Sequence, residues 1–348
     1  MTIFYLKCVF YWFFNINMKF EKCQASTKKF ANKQKTINLA LPIRARIEIC
    51  RFCNLKCPSC PVGRRKIKNE SMMSLEDFKS IIDKIKISVN ELSLFNYGEP
   101  LLNPELVNMI KYAKKGGIKI INIHTNGLLL NKRLAQKLVK SGIDFVNFSV
   151  DGASNETYQK YRVGGDLNVV VKNVSYFLKI RKKFKLKKPF VSMQFIVMKH
   201  NQHEIKEFTK IWKKFGADEI NIKTFNAHMS GYEDRKANLK YLPEKSNYTR
   251  YKTSDAKEIS EIYKAKHCVW AWENLVVNSN GDISLCGHDF NAKFHLSNIL
   301  KDNNWWNNDN RRKLQDKIRS NKNNLCKHCN VGMLYLKINK DVKDRTPK

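Results

Sequence analysis

Three cysteines near residue 55 have a spacing suited to a reactive metal centre. Cys53, Cys57 and Cys60 follow a C-x3-C-x2-C pattern, just after the short apolar stretch 47–49. Cysteine thiolates are the usual protein ligands of iron–sulfur clusters. Three of them hold three corners of a 4Fe–4S cube and leave one iron open to bind a small molecule. The spacing therefore indicates a reactive centre rather than a simple electron store.

A zinc site is the alternative for the same region. Cys50 and Cys53 form one C-x2-C pair, and Cys57 and Cys60 form a second pair. Structural zinc is often held by two such pairs that lie close together. The cysteine spacing favours an iron–sulfur cluster over zinc, and no role is assigned to Cys50.

The composition is that of a globular protein with a sizeable core. The chain has 348 residues, of which 43% are hydrophobic. This length is sufficient for one large domain and a smaller one. The 10 cysteines are too few for a disulfide scaffold and lie in C-x2-C and C-x3-C units. We therefore expect metal binding in a reducing, cytoplasmic compartment.

The chain is strongly basic, with 65 lysines and arginines against 31 acidic residues and a net charge of +34. Nucleic acid, a membrane surface or an acidic protein partner could each explain such a charge. The lysines are scattered, however, and the densest run, 181–188, is expected to be a solvated helix end. We interpret the charge as compositional bias and expect no nucleic-acid partner. A basic zinc-binding nucleic-acid protein is the alternative from another functional class.

The first 42 residues are interpreted as an N-terminal extension. Residues 3–14 are apolar and aromatic, but they are fewer than the roughly 20 needed to cross a bilayer, so we expect no transmembrane segment. A signal peptide would need a positive start and a small-residue cleavage site, and neither is clear. Met18 is an alternative translation start, which would remove residues 1–17. An interfacial anchor is the other interpretation.

From residue 43 onward, short β-rich runs alternate with helical runs. Helix start signals support the pattern, for example Ser74 as an N-cap with Asp77 three residues later. The alternation is typical of an α/β fold around a parallel sheet, and we predict a partial (βα)6 TIM-like barrel. The predicted strands are 43–49, 91–97, 118–124, 145–150, 189–197 and 219–225, and the predicted helices are 74–86, 104–115, 131–140, 167–183 and 202–215.

Residues able to bind a ligand follow four of the predicted strands. They are the cysteine loop and the segments 98–100, 125–127 and 149–152. In a parallel barrel the active site lies at the carboxyl ends of the strands. We therefore expect these segments to meet there. For Asn126 and Gly152, selection for turn geometry is the alternative explanation.

The cysteine loop, followed about forty residues later by Gly98-Glu99-Pro100, resembles the radical S-adenosylmethionine (radical SAM) superfamily. The resemblance implies that the three cysteines hold a 4Fe–4S cluster whose open iron binds SAM. One electron would then cleave SAM to a 5′-deoxyadenosyl radical, which abstracts hydrogen from a substrate. It also implies a small acidic electron donor of the flavodoxin or ferredoxin type.

The resemblance further assigns the residues that contact SAM. Gly98, Glu99 and Pro100 correspond to the family's Gly-Gly-Glu-Pro motif, with Tyr97 in place of the first glycine. Glu99 is implied to accept hydrogen bonds from the ammonium group, and Arg162 to pair with the SAM carboxylate. The other implied SAM-binding residues are Thr125, Asn126, Ser149 and Asp151.

A second cysteine set lies near the C-terminus. Cys268 and Cys286 flank a predicted β-hairpin, and Cys326-x2-Cys329 follows a predicted helical stretch around 305–319. The arrangement resembles the SPASM domain or its shorter relative, the twitch domain. The resemblance implies that the four cysteines close all corners of one auxiliary 4Fe–4S cluster that passes electrons. A structural zinc site with the same ligands is the alternative.

The predicted organisation has five parts: an N-terminal extension (1–42), a radical SAM core barrel (43–226), a linker or capping segment (227–267), a small SPASM/twitch-like iron–sulfur domain (268–330) and a basic tail (331–348). The resemblance implies a radical SAM oxidoreductase. We expect net oxidation of a sugar- or cyclitol-like molecule, because no peptide-clamping domain is evident upstream of residue 43. A maturase that modifies a peptide or protein is the second interpretation.

Overall fold

An eight-stranded sheet organises the part of the chain that the computed structural model describes, namely residues 41–258, 269–320, 322–327 and 329. The strand order is β6-β5-β4-β3-β2-β1-β7-β8, and every neighbouring pair is parallel except β7 with β8. The six predicted strands are confirmed in sequential order. The strands are β1 Arg44–Ile47, β2 Glu91–Ser93, β3 Ile120–Thr125, β4 Phe145–Ser149, β5 Phe190–Val197, β6 Glu219–Thr224, β7 Asn274–Val277 and β8 Ile283–Ser284.

Helices connect successive strands, as expected for parallel pairing. They are α1 Leu75–Ile85, α2 Leu106–Lys115, α3 Lys132–Val139, α4 Asn155–Gln159, α5 Leu167–Lys183, α6 Ile205–Lys214, α7 Arg235–Asn238, α8 Asp309–Arg319 and α9 Asn324–Lys327. Single 3₁₀ turns lie at Pro100–Leu102, Tyr232–Asp234, Leu239–Tyr241, Ser246–Tyr248 and Val269–Ala271. The five predicted helices are confirmed, α5 with the predicted bounds and the other four shorter, and the helical stretch predicted around 305–319 contains α8. Helices α4, α7 and α9 and the 3₁₀ turns were not predicted.

Polar caps fix the starts of the outer helices. The Ser74 hydroxyl accepts a hydrogen bond from the Asp77 amide at 3.0 Å, as the sequence predicted for α1. The Asn131 side chain accepts from the Leu134 amide at 2.9 Å at the start of α3. Each bond satisfies one of the unpaired amides of a first turn and contributes about 1 kcal/mol. The caps therefore set where each helix leaves the strand end before it.

The two faces of the sheet differ in chemistry. One face is apolar and packs on the helices: Phe148 meets Phe177 of α5 at 5.8 Å between ring centroids, and Phe195 meets Phe208 of α6 at 4.8 Å. Alternate side chains of a strand point to opposite faces. The other face, called the inner face below, therefore carries the intervening residues. Many of these are polar: Arg46, Glu48, Asn122, His124, Asn147, Ser149, Gln194, Asn221 and Lys223.

The C-terminal hairpin continues the main sheet. Strand β7 lies parallel to β1, with Arg44 opposite Asn274 and Ile47 opposite Val277, and β8 lies on the far side of β7. The sequence predicted the hairpin but not its pairing with β1. This pairing satisfies the edge of β1 with main-chain hydrogen bonds. It also brings the region before Cys286 to the edge of the sheet next to the cysteine loop.

The segment after β6, predicted as a linker or cap, packs on the cysteine loop. Tyr241, Tyr251 and Ala256 belong to one buried apolar cluster with Leu55 and Cys57. Because this contact buries apolar surface, the segment acts as a cap over the loop rather than as a free linker. Residues 259–268 lie outside the described part of the chain.

None of the helices in the described ranges is both long enough and apolar enough to cross a bilayer. The predictions made for residues 1–40, including the apolar stretch and the alternative start, concern residues outside those ranges. The same is true of the basic tail from 331 to 348.

Candidate active site

The cysteine loop is packed tightly against the turn that follows β2. A Cβ added to Gly98 would lie 1.9 Å from the carbonyl oxygen of Cys50, and one added to Gly63 would lie 2.2 Å from that of Cys57. No side chain fits at such distances, so glycine is needed at both positions. The Glu99 amide also donates to the Phe52 carbonyl at 2.7 Å. The glycine of the Gly98-Glu99-Pro100 motif thus serves close backbone approach.

The three thiols of the predicted cluster site are brought together. Cys57 is buried, and Cys53 and Cys60 are half-buried against the same apolar cluster. Burial is the main cause that raises the pKa of Cys53 and of Cys60 to about 12, and negative charge on Cys57 contributes to both increases. Buried thiols with raised pKa values ionise only beside a strong positive charge, which iron supplies. The donor set therefore fits an iron–sulfur cluster.

The positions of the side chains in this loop also bear on the zinc alternative. Within the described ranges, no three histidine, cysteine or acidic side chains are placed to hold one metal ion. A four-iron cube is larger than one ion and spreads its cysteine ligands more widely. The remaining cysteine, Cys50, is buried, and its sulfur contacts the Phe52 carbonyl oxygen at 3.6 Å.

Glu99 is buried and engaged at both carboxylate oxygens. Oε1 accepts hydrogen bonds from the Leu101 amide at 3.0 Å and the Thr125 hydroxyl at 2.6 Å, and Oε2 accepts from the Asn126 amide at 2.8 Å. Burial raises the pKa of Glu99, and these donors oppose the increase. The carboxylate therefore joins the ends of β2 and β3, and Oε2 still has room for another donor.

Asn126 links the end of β3 to the cysteine loop. Its Nδ2 donates to Asn54 Oδ1 at 2.8 Å and lies 4.0 Å from the sulfur of Cys53, while its Oδ1 accepts from the Leu128 amide at 3.0 Å. Selection for turn geometry, the alternative explanation for Asn126, holds for Oδ1, because this atom stabilises a local turn. The nitrogen, in contrast, faces the predicted cluster site.

Arg162 and Asp151 form a buried ion pair beside Cys57. Arg162 Nε lies 2.9 Å from Asp151 Oδ2, and Nη1 lies 3.8 Å from the Cys57 sulfur. The other oxygen of Asp151 accepts from the Ile196 amide at 2.7 Å. The Asp151 charge raises the pKa of Arg162, so the guanidinium stays charged. The sequence predicted both residues for SAM but not that they bind each other.

A polar network crosses the inner face at β4, β5 and β6. Gln194 Oε1 accepts from Lys223 Nζ at 2.5 Å and from Asn147 Nδ2 at 3.4 Å, and Gln194 Nε2 donates to Ser149 Oγ at 3.2 Å. Of these residues only Ser149 was predicted to contact SAM. Gln194 and Asn147 were missed because neither belongs to a motif.

An aromatic and cationic stack lies at the opposite side of the inner face. The Phe95 and His124 rings stack at 3.9 Å, and the Arg46 guanidinium lies 5.0 Å from Phe95 and 4.5 Å from Trp270. Contacts of a guanidinium with two rings contribute about 1 kcal/mol each. The stack joins the first three strands to the region that follows Cys268.

A buried acid–base pair, missed in the sequence, ties the cysteine loop to the C-terminal region. Arg51 Nε lies 3.4 Å from Glu48 Oε2, and Arg51 Nη2 donates to the Phe290 carbonyl at 2.7 Å. Glu48 Oε1 accepts from the Tyr97 amide at 3.0 Å. The sequence did contain a signal for this pair. Glu48 and Arg51 lie on either side of Cys50, and such acid–base pairs often support a neighbouring site.

Three cysteines of the predicted auxiliary site lie in the described part of the chain. Cys286 follows β8, and Cys326 and Cys329 occupy one helical turn in which the Cys329 amide donates to the Cys326 carbonyl at 3.1 Å. Cys268 lies outside the described residues. Burial raises the pKa of Tyr97, and negative charge on Cys60 and on Cys286 would also raise it.

Comparison with known families gives two matches. Residues 47–211 match the family described as the radical SAM superfamily, and residues 268–330 match SPASM, described as an iron–sulfur cluster-binding domain. Together they span about two thirds of the chain. They decide against a zinc-binding nucleic-acid protein.

Curated relatives match over part of their length. A probable GTP 3′,8-cyclase of Methanococcus maripaludis is 35% identical over 136 residues, covering 39% of this chain and 45% of that protein. An Fe-coproporphyrin III synthase of Methanosarcina barkeri is 36% identical over 112 residues, 32% of this chain and 28% of that protein. A GTP 3′,8-cyclase of Clostridium botulinum is 31% identical over 175 residues, covering 49% of this chain and 52% of that protein. The chain thus spans about half the length, or less, of these relatives.

Solved structures share the fold at low identity. SuiB of Streptococcus suis, bound to precursor peptide SuiA, has a TM-score of 0.60 at 18% identity. The match covers 91% of this chain and 77% of the SuiB chain. Native anSMEcpe with AdoMet has a TM-score of 0.56 at 19% identity, and the match covers 87% of this chain and 95% of the anSMEcpe chain. BtrN with AdoMet and 2-DOIA has a TM-score of 0.51 at 18% identity, and the match covers 84% of this chain and 94% of the BtrN chain.

At these identities the structural likeness shows the fold alone, a mostly parallel α/β partial barrel. The family assignment comes from the two sequence matches and agrees with the grouped thiols of the cysteine loop. The matches imply a SAM-binding 4Fe–4S cluster, SAM itself and an auxiliary iron–sulfur cluster. The chain therefore belongs to the radical SAM superfamily, as a radical SAM enzyme with a C-terminal SPASM domain.

Proposed function

We propose that this enzyme removes hydrogen from a small, hydroxyl-rich substrate bound at the inner face, with net oxidation. The observation that carries the proposal is the ring of hydrogen-bonding side chains on β3 to β6. The Oδ1 atoms of Asn122, Asn147 and Asn221 are buried there without a hydrogen-bond partner. Buried polar atoms are nearly always satisfied, so unmatched acceptors on the inner face suit ligand hydroxyl donors.

Cys53, Cys57 and Cys60 are proposed to hold the SAM-binding 4Fe–4S cluster. When bound, the cluster supplies the electron that cleaves SAM to methionine and a 5′-deoxyadenosyl radical able to abstract hydrogen. The protein places the thiols through Gly63 and Gly98, which let two backbones approach the loop. The capping segment shields the loop through Tyr241 and Tyr251, which excludes water from this side of the site.

The ends of β2 and β3 are proposed to bind the amino-acid part of SAM. Gly98 and Pro100 shape the turn. Glu99 accepts one hydrogen bond each from Thr125, Asn126 and the Leu101 amide, which fixes the carboxylate at the ends of β2 and β3. The remaining acceptor capacity of Glu99 Oε2 suits an ammonium group. A carboxylate that is fixed before binding loses little freedom when SAM arrives.

Arg162 is proposed to receive the SAM carboxylate while Asp151 keeps its guanidinium in place. Two of its nitrogens contact Asp151, and Nη1 points to the Cys57 sulfur. A charged, buried guanidinium beside a cluster thiol is positioned to bind an anion next to that cluster. Ser149, on the adjacent strand end, is proposed to contact the ribose hydroxyls.

The C-terminal cysteines Cys268, Cys286, Cys326 and Cys329 are proposed to hold the auxiliary 4Fe–4S cluster. Net oxidation removes a hydrogen atom and then one more electron and a proton from the substrate. A cluster with four cysteine ligands supplies an acceptor for that electron.

Two further assignments belong to the same proposal. The electron donor is proposed to be a small acidic flavodoxin or ferredoxin, because the chain carries a net charge of +34.

A peptide or protein substrate is the second candidate. One neighbour was solved with a precursor peptide, but at 18% identity that likeness speaks only for the fold.

Serine variants of the loop test the assignment of the SAM-binding cluster. Under anaerobic conditions with dithionite and SAM, Cys57→Ser is expected to abolish 5′-deoxyadenosine formation, because the cluster loses a ligand. Cys50→Ser is the matched control from the same loop and is expected to retain the activity. Cys286→Ala is expected to retain part of the cleavage, uncoupled from substrate oxidation. Normal cleavage by Cys57→Ser would contradict the assignment.

A further inference from the structure

Two buried hydroxyl groups beside the cysteine loop are not used by the function proposed above. Ser59 lies between Cys57 and Cys60 in the sequence, and Tyr161 follows α4. Ser59 is 0% and Tyr161 is 2% exposed, and their hydroxyl groups form a hydrogen bond with each other. The Tyr161 ring also belongs to the buried apolar cluster that contains Cys57. Tyr161 thus contacts the turn that carries two of the three thiols.

The residues that follow Tyr161 hold the same loop. Arg162 Nη1 lies 3.8 Å from the Cys57 sulfur, and the Lys56 amide donates to the Val163 carbonyl at 2.9 Å. Three consecutive residues therefore contact the loop, through a phenol hydroxyl, a guanidinium and a carbonyl group. Such supporting contacts leave the loop few alternative conformations.

Tyr161 itself is held by aromatic neighbours. The ring of Phe225, the residue after β6, meets the Tyr161 ring edge-on at 6.1 Å between centroids. The Tyr241 ring of the capping segment also meets it edge-on, at 5.6 Å. Edge-to-face pairs at such distances contribute about 1 kcal/mol each. The two rings therefore fix the phenol, with its hydroxyl at Ser59.

The hydroxyl pair has one donor more than it uses. Each hydroxyl group has one proton to donate, and the bond between Ser59 and Tyr161 uses one of the two. In the part of the chain that the structure describes, neither oxygen has a second hydrogen-bond partner. Buried donors are nearly always paired, so the remaining O–H suits an acceptor bound by the neighbouring thiols. Sulfur atoms of an iron–sulfur cluster accept such hydrogen bonds, which help to set its reduction potential.

We propose that Tyr161 is a positioning residue for the cluster that binds SAM: through Ser59 it fixes the turn between Cys57 and Cys60, and the pair supplies one O–H donor to the cluster's sulfur atoms. The inference rests on the proposed assignment of that cluster to the cysteine loop. A reduced cluster carries one more negative charge than an oxidised one, so a hydrogen bond to its sulfur atoms favours the reduced form. Tyr161 and Ser59 therefore raise the reduction potential of the cluster.

A redox titration tests the proposal. The full chain with Cys286→Ala and Cys326→Ala is reconstituted anaerobically, so that only the cysteine loop holds a cluster, and its reduced signal is followed by electron paramagnetic resonance without SAM. Tyr161→Phe, Ser59→Ala and the double variant are compared in this background. We expect each single variant to lower the ratio of reduced to oxidised cluster at a fixed potential at least about threefold, where tenfold corresponds to about 59 mV. Since the two hydroxyls act as a pair, the effect of the double variant should be smaller than the sum of the single effects.

Tyr158→Phe is the matched control. Tyr158 lies in α4 and is as deeply buried as Tyr161, but its hydroxyl has no hydrogen-bond partner in the described ranges. The control should keep the unsubstituted potential. Circular dichroism and iron analysis show whether each variant is folded and loaded. A folded Tyr161→Phe that fails to load iron, while Tyr158→Phe loads normally, would also support the positioning role.

Four results would overturn the proposal: an unchanged potential in loaded Tyr161→Phe, additive effects of Tyr161→Phe and Ser59→Ala, an equal shift in Tyr158→Phe, or loss of iron from both tyrosine variants. An unchanged potential together with a loss of stability would show that Tyr161 only packs against the loop. Formation of 5′-deoxyadenosine by the wild type tests the proposed function separately, because the titration needs neither SAM nor substrate.

Discussion

The region around Glu99 and Asn126, after β2 and β3, and the inner face at Asn147 and Asn221, on β4 and β6, belong to one sheet. They differ in how fully these four side chains are hydrogen-bonded within the protein. At the first region, both oxygens of Glu99 and both side-chain atoms of Asn126 are hydrogen-bonded within the protein. At the second, Asn147 and Asn221 leave buried amide oxygens without a partner. Glu99 and Asn126 are therefore held in place before any ligand binds, whereas we propose that a ligand satisfies the oxygens of Asn147 and Asn221.

The difference matches the tasks that we propose for the two regions. A cofactor site must hold the same molecule in every turnover, so a rigid, satisfied arrangement limits the entropy lost on binding. A substrate site gains specificity from polar groups that only the right ligand satisfies. Unsatisfied groups also lower stability, which is a common feature of functional sites. Substitutions in the two regions should therefore change the free energy of unfolding in opposite directions.

The largest effect is expected at Gly98. A methyl group there would lie 1.9 Å from the Cys50 carbonyl oxygen, so Gly98→Ala must displace the cysteine loop. We expect a loss of about 3 kcal/mol or more in unfolding free energy, measured with urea, and little iron after reconstitution. Gly116→Ala is the control, because its nearest neighbour would be 3.4 Å away. Equal stability and iron content in both variants would contradict the close packing of the two loops.

A smaller loss is expected at the buried ion pair. Asp151→Asn removes the charge that neutralises Arg162, and breaking one side of a buried pair costs about 3 kcal/mol. Urea unfolding measures this loss, and SAM binding should weaken as well. Asp83→Asn, in an exposed pair with Lys86, is the control and should unfold like the wild type. If the two variants behave alike, the pair does not support the site.

The smallest effect, of opposite sign, is expected at the inner face. Asn221→Leu replaces a buried side chain whose oxygen has no partner by an apolar one of similar size. We expect the unfolding free energy to stay equal or rise by about 1 kcal/mol. Asn126→Leu is the comparison, because it removes satisfied hydrogen bonds and should destabilise. A clear loss of stability in Asn221→Leu would remove the distinction between the two regions.

The sequence was sufficient to predict the first region for a physical reason. Its residues are close in the chain to strand ends, and their spacing carries the chemistry, as in the cysteine loop and Gly98-Glu99-Pro100. The order of the six strands followed from the same alternation. Even there, the partners of Glu99 and the pairing of Asp151 with Arg162 needed the structure, because they join residues from different strands.

The hydrogen-bonded network of the second region could not be predicted from the sequence. Gln194, Asn147 and Lys223 come from three strands and meet only because each points to the same face of the sheet. Each is an ordinary strand residue when taken alone. The pairing of β7 with β1 was missed for a similar reason, since more than two hundred residues separate the two strands.

Three thiolates of the cysteine loop are proposed to leave one site on a 4Fe–4S cluster for SAM. The most direct test of this proposal is the electron paramagnetic resonance spectrum of the dithionite-reduced enzyme, recorded with and without SAM. A variant carrying Cys286→Ala and Cys326→Ala removes the auxiliary signal. We predict a 4Fe–4S signal whose g-values shift when SAM is added. A fully loaded cluster whose signal is unchanged by saturating SAM would contradict it.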